Sequence, residues 1–127
     1  MTLGVCLAVD QAVRAFVPAL AFTLAWTHSI EKTAWEEDYR IADGVLSIVD
    51  ARILGSGAGM EPPAGATLRD GVWHYRPAAA THERLRLTAS RATDDYRFCV
   101  GGRCTPLREL VGVTGDVAVV EVAACRR

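Results

Sequence analysis

The sequence predicts an all-β fold: a single small antiparallel β-sandwich or barrel over residues 1–127, with one short helix near 106–111. Three observations predict it. Apolar and polar residues alternate at period two in run after run, the spacing of a strand with one buried face. Turn-forming pairs (Asp43-Gly44, Asp70-Gly71, Gly101-Gly102) separate those runs at short intervals, as in antiparallel sheets. The chain of 127 residues, 50% hydrophobic and 23% charged, is long enough for one core and shows no repeat or linker.

Residues 4–9 form an apolar run suited to a buried strand. Residues 12–20 have spacing that also fits a helical turn, but Val13, Phe16 and Val17 fit a strand broken at Pro18, and a strand agrees with the alternating run next to it. From Phe22, the residues Phe22, Leu24, Trp26, His28 and Ile30 share one strand face, and Thr23, Ala25, Thr27 and Ser29 the other. Residues 35–41 make the next strand, Ala42-Asp43-Gly44 a turn, and residues 45–54 a third, rich in β-branched side chains. Residues 55–69 have no periodicity and read as a loop. Beyond Asp70-Gly71, Trp73 and Tyr75 lie on one strand face and His74 on the other; an alanine-rich connector comes next. Leu85 and Leu87 point inward from an alternating run. Thr105-Pro106 caps and opens a helix over 107–111 that Gly112 ends. A valine-rich strand over 116–124 closes the chain.

The formal net charge of −1 argues against a nucleic-acid partner, which selects a basic surface. No apolar run approaches the ~20 residues of a membrane-spanning helix. The first run lacks the basic flank of a secretory signal, so the chain reads as cytoplasmic by default, with periplasmic or membrane-associated placement left open.

Four cysteines allow three full pairings. In Cys99-Val-Gly-Gly-Arg-Cys104 a two-residue turn at Gly101-Gly102 would set Cys99 opposite Cys104, within bridging distance. Cys6 and Cys125 lie near the two ends and could pair if the terminal strands are neighbours. Four reduced cysteines acting as small core residues stand as the alternative.

Two stretches carry the unusual chemistry. The first holds His28, Ser29, Glu31 and Lys32, followed by Glu36. Strand alternation sends His28 and Ser29 to opposite faces, which works against a serine–histidine nucleophile pair. Lys32 with Glu36 or Glu37 makes a surface ion pair, and the run Glu36-Glu37-Asp38 reads as solvated strand surface. The second stretch runs Gly55-Ser56-Gly57-Ala58-Gly59-Met60. Its small residues expose backbone amides that can cup an anion. It lacks both the Gly-Lys-Ser/Thr ending of a P-loop and the helix that a dinucleotide site requires after its glycines. His28, His74 and His82 have no metal-ligand spacing, and no cofactor is expected.

The two stretches together, with Phe98-Cys99 and Cys104-x-Pro106-Leu107, resemble the bacterial domain-of-unknown-function family 1850. The resemblance implies a small β protein, encoded beside TRAP-type transporters of the TAXI class, which take up organic anions. The expected function is therefore a non-enzymatic accessory or binding domain. Lys32, His28 and the 55–59 amides would hold a small organic anion or an acidic segment of a transporter subunit. Two alternatives are a small hydrolase using Ser29 or Ser56 with His28, and a purely structural partner of a permease.

Overall fold

The computed structural model describes residues 1–27, 33–54, 63–91 and 95–127. In chain order its strands are β1 (Leu3–Val9), β2 (Ala12–Val17), β3 (Ala21–Thr27), β4 (Ala34–Ala42), β5 (Val45–Leu54), β6 (Thr67–Arg69) and β7 (Val72–Tyr75). Then come β8 (Thr81–His82), β9 (Leu85–Ser90), β10 (Arg97–Val100), β11 (Arg103–Pro106), helix α1 (Leu107–Val111) and β12 (Val117–Arg126). The smaller sheet has the order β2-β1-β12-β9, and the larger β11-β10-β3-β4-β5-β7-β6, with β8 also pairing with β5. Among the described residues neither sheet closes on itself, so the sandwich expectation holds and the barrel does not.

Alternation decides which side of each sheet is buried. Val5, Leu7 and Val9 of β1 and Val120 and Val122 of β12 face Phe22, Leu24, Tyr39, Leu46, Ile48 and Ala51 of the larger sheet in one core. Each fully buried Leu or Val side chain contributes about 1.5–3 kcal/mol. In β5 the inward set changes parity between Ile48 and Ala51. Asp38 pairs with Asp50 and Tyr39 with Ile48, which leaves Val49 as the extra residue of a bulge. The bulge lets both halves of β5 point their apolar residues inward, and it turns Asp50 and Arg52 outward.

Hairpin turns with left-handed residues join the strands, including Asp43-Gly44, Asp70-Gly71 and Gly101-Gly102. The β1–β2 turn uses Asp10-Gln11, with no glycine. Gly4 is required for another reason. Phe16 and Val17 of β2 lie directly over it, and an added Cβ would run into the Val17 carbonyl oxygen.

Three local expectations are corrected. Residues 67–69 belong to a strand, because Thr67–Arg69 pairs with β7 across the Asp70-Gly71 turn. The connector after Tyr75 pairs with β5 at Thr81 and His82. Thr105 does not cap the helix: Pro106 sits at the N-cap with no side-chain hydrogen bond there. Asp95, from before β10, accepts the Arg108 N–H at 2.7 Å instead. Gly112 ends the helix in the left-handed conformation. Five residues are too few to hold a helix alone; burial of Leu107 and Val111 anchors it.

Two disulfides are present. Cys6–Cys125 ties β1 to β12 with a Cα–Cα distance of 5.8 Å, and Cys99–Cys104 ties β10 to β11 with 4.0 Å. Cys99 and Cys104 are directly opposite in the ladder. Among the described residues no helix is long and apolar enough to cross a membrane.

Candidate functional site

The outward face of the larger sheet carries a cluster of charged side chains drawn from neighbouring strands. Register assembles it. Thr23 of β3 is paired with Asp38 of β4, and Asp38 with Asp50 of β5. One step along, Glu36 of β4 is paired with Arg52 of β5, and Arg52 with His74 of β7. Side chains at these positions all project away from the core.

Arg52 is the hub. Its Nε donates to Glu36 Oε1 at 2.7 Å. Its Nη1 donates to Asp38 Oδ2 at 2.7 Å and to Asp50 Oδ2 at 2.9 Å. Its Nη2 donates to Asp38 Oδ1 at 3.0 Å. Thr23 Oγ1 adds a 2.6 Å hydrogen bond to Asp38. His74 Nδ1 lies 3.1 Å from Asp50 Oδ2 and 3.2 Å from its Oδ1. Partial burial would raise the Asp38 carboxyl, but the hydrogen bonds from Arg52 and Thr23 outweigh it and hold Asp38 below its ordinary value. The Asp38 hydrogen bonds, opposed by burial, raise Arg52 above its ordinary range.

This geometry limits the chemistry. The guanidinium sits where a cation would sit among three carboxylates, and all three of its nitrogens are turned to them. Arg52 is therefore not free to grip an external anion, and the centre of the face stays acidic. Among the described residues no group of three His, Cys, Asp or Glu could hold a metal ion. Shallow grooves flank the cluster. One, of about 610 Å³, runs past Thr23, Asp38 and Arg52 to the Cys99–Cys104 hairpin. The other, of about 660 Å³, runs past Asp50 and His74 toward the β6–β7 hairpin.

The inward face carries one unexpected carboxylate, and with it a correction. Glu37 is not solvated strand surface; it shares the inner face with Leu24 and Tyr39 and accepts the Tyr39 hydroxyl at 2.8 Å. Burial, and then the Glu37 charge, raise the Tyr39, Tyr75 and Tyr96 hydroxyls above their ordinary value. Around this row the rings pack on one another. Trp26 stacks on Trp35 at 6.3 Å, Tyr96 meets Trp26 at 5.6 Å, and Tyr75 meets Trp35 edge-on at 6.2 Å.

Of the binding residues expected from sequence, Glu36 alone is described, and its partner is Arg52. His28, Ser29, Glu31, Lys32, Gly55, Ser56, Gly57, Gly59 and Met60 lie outside the described residues, as does the expected Lys32 ion pair. Their anchors are described. Thr27 pairs with Ala34, and Ala34 with Leu54, so these three residues, which border the two stretches in sequence, lie side by side at one end of the larger sheet. Sequence reasoning missed Thr23, Asp38, Asp50, Arg52 and His74 as a group. The signal was polar residues at outward strand positions, but only the register makes them neighbours.

Residues 22–107 match the family described as Domain of unknown function (DUF1850). The chain matches no curated protein and no protein of solved structure.

Proposed function

The chain belongs to the DUF1850 family, and from that premise we propose that it is a non-enzymatic accessory or binding domain of a TRAP/TAXI-type organic-anion transporter, working in an oxidising compartment. The observation that carries this reading is the pair of disulfides, Cys6–Cys125 and Cys99–Cys104. Structural disulfides persist outside the reducing cytosol, where the binding subunits of such transporters meet their substrates. The anchors of the two unusual stretches support the binding part of the reading. Thr27, Ala34 and Leu54, the described residues next to those stretches in sequence, lie side by side at one end of the sheet, an arrangement compatible with a joint site for an anion or an acidic segment.

The test combines two measurements. Thiol labelling of intact cells and of fractionated extracts reports the compartment and the oxidation state. Affinity capture with the transporter subunits, run beside a thermal-shift screen of small carboxylates, reports partner and ligand. Oxidised protein outside the cytosol that captures a transporter subunit supports the proposal. Reduced thiols in the cytosol, or silence in both capture and screen, would overturn it.

A further inference from the structure

We propose that the groove along the β6–β7 hairpin is a binding site for a small oxyanion, a carboxylate or phosphate group, gripped by Arg69 and Arg76 with His74 and Thr67. Alternation and register put these groups on one face. Thr67 is paired with His74 and Arg69 with Val72, and Arg76 comes two residues beyond His74. All four line the same open groove of about 660 Å³. Arg69 and Arg76 are exposed, and among the described residues neither is in an ion pair. That contrasts with Arg52, each of whose three nitrogens donates to a carboxylate. Two uncommitted guanidinium forks facing one groove match the paired oxygens of a carboxylate or phosphate. His74 is already oriented: Asp50 engages Nδ1, which leaves Nε2 for a ligand. Asp50 also lines the groove and would repel an anion, but it is ion-paired with Arg52 at 2.9 Å and within hydrogen-bond distance of His74 Nδ1. The resulting field is basic at the hairpin and acidic toward the sheet centre, which would fix the direction in which a ligand enters.

The groove is built from described residues of β5, β6 and β7 and the segment after β7, and it does not depend on a transporter partner. The experiment titrates the isotopically labelled full chain with succinate and, separately, with inorganic phosphate at constant ionic strength, read by NMR. Saturable shifts at Asp50, Thr67, Arg69, His74 and Arg76 are expected. Arg69→Gln and Arg76→Gln should each weaken binding roughly tenfold while the fold persists, as loss of one charge-assisted contact predicts. Arg103→Gln, an exposed arginine on β11 outside the groove, should leave affinity unchanged. Preference for succinate identifies a carboxylate ligand and preference for phosphate identifies a phosphate ligand; both support the site. No saturable shift with either probe, or equal weakening by Arg103→Gln, would overturn it. Because partner capture is read separately, failure here leaves the transporter reading standing, and the reverse also holds.

Discussion

Arg52 and Asp38 face each other across β4 and β5 as a two-bonded pair, Nη1 to Oδ2 at 2.7 Å and Nη2 to Oδ1 at 3.0 Å. The pair sits inside a ring of like charges: Glu36 and Asp50 share the same guanidinium. Replacing Arg52 by Met keeps most of the stem but leaves three carboxylates crowded on a half-buried face. The expected loss is about 1–3 kcal/mol, between exposed and buried ion pairs. Urea denaturation measures it. Adding Asp50→Asn to Arg52→Met should recover part of the loss, since one repelling charge is gone. Arg84→Ala, which breaks the exposed Arg84–Glu121 contact of 3.0 Å, should cost under about 1 kcal/mol. If the two arginines cost the same, Arg52 is not a hub.

The same cluster sets the acid limb of stability. The folded value of Asp38 lies below its ordinary 3.8, so the folded state binds fewer protons than the unfolded chain in that range. Its contribution is fully present above pH 3.8 and is lost as pH falls through the lower folded value. The tyrosines around Glu37 act at the other end. Their folded values are raised above 10.0, so their contribution is fully present below pH 10.0 and is lost as pH rises beyond it. Denaturation midpoints measured across pH should fall on both flanks. Asp38→Asn should flatten the acid flank only, and Tyr39→Phe should soften the alkaline flank only. An unchanged acid flank in Asp38→Asn would remove Asp38 from the account.

Much of the fold was legible because period two is a strong signal wherever one strand face is buried. The β3, β4 and β5 runs, the Gly101-Gly102 hairpin and the helix ended by Gly112 all come from local pattern. What escaped is non-local. Thr67–Arg69 lacks its own periodicity over three residues and becomes a strand because β7 lies beside it. Asp95 caps α1 from before β10, a relation invisible in the residues next to the helix. The charge of Glu37 points to solvated surface, yet its parity with Leu24 and Tyr39 turns it inward, where the Tyr39 hydroxyl partners it. The Arg52 cluster needs the register of several strands and a bulge at Val49, and neither is legible in any single segment.

Gly4 offers a test of packing between β1 and β2. A methyl group there would strike the Val17 carbonyl oxygen and lie 2.8 Å from Phe16 Cζ. Backbone cannot move aside as a flexible side chain can, so Gly4→Ala should cost about 1–3 kcal/mol. Gly115 has nothing within 4 Å of an added Cβ. Gly115→Ala should leave the melting temperature within a degree or two, an effect on the order of 0.5 kcal/mol or less. Equal melting temperatures for the two variants would show that β2 is not held tightly over Gly4.

The two disulfides should differ in what they contribute. Cys6 and Cys125 are 119 residues apart, so their bond closes a loop of nearly the whole chain. Cys99 and Cys104 are 5 apart and already held by a hairpin. In the chain-entropy account the long loop removes far more freedom from the unfolded state, about 5 kcal/mol against about 2 kcal/mol. A Cys6→Ser/Cys125→Ser chain should therefore unfold at much lower urea than a Cys99→Ser/Cys104→Ser chain, with both compared under non-reducing conditions. β1 and β12 would still pair over seven positions, from Leu3 with Arg126 to Val9 with Val120, so the first variant should remain folded in water. Equal midpoints would mean that the unfolded chain stays compact enough for the terminal bridge to constrain little.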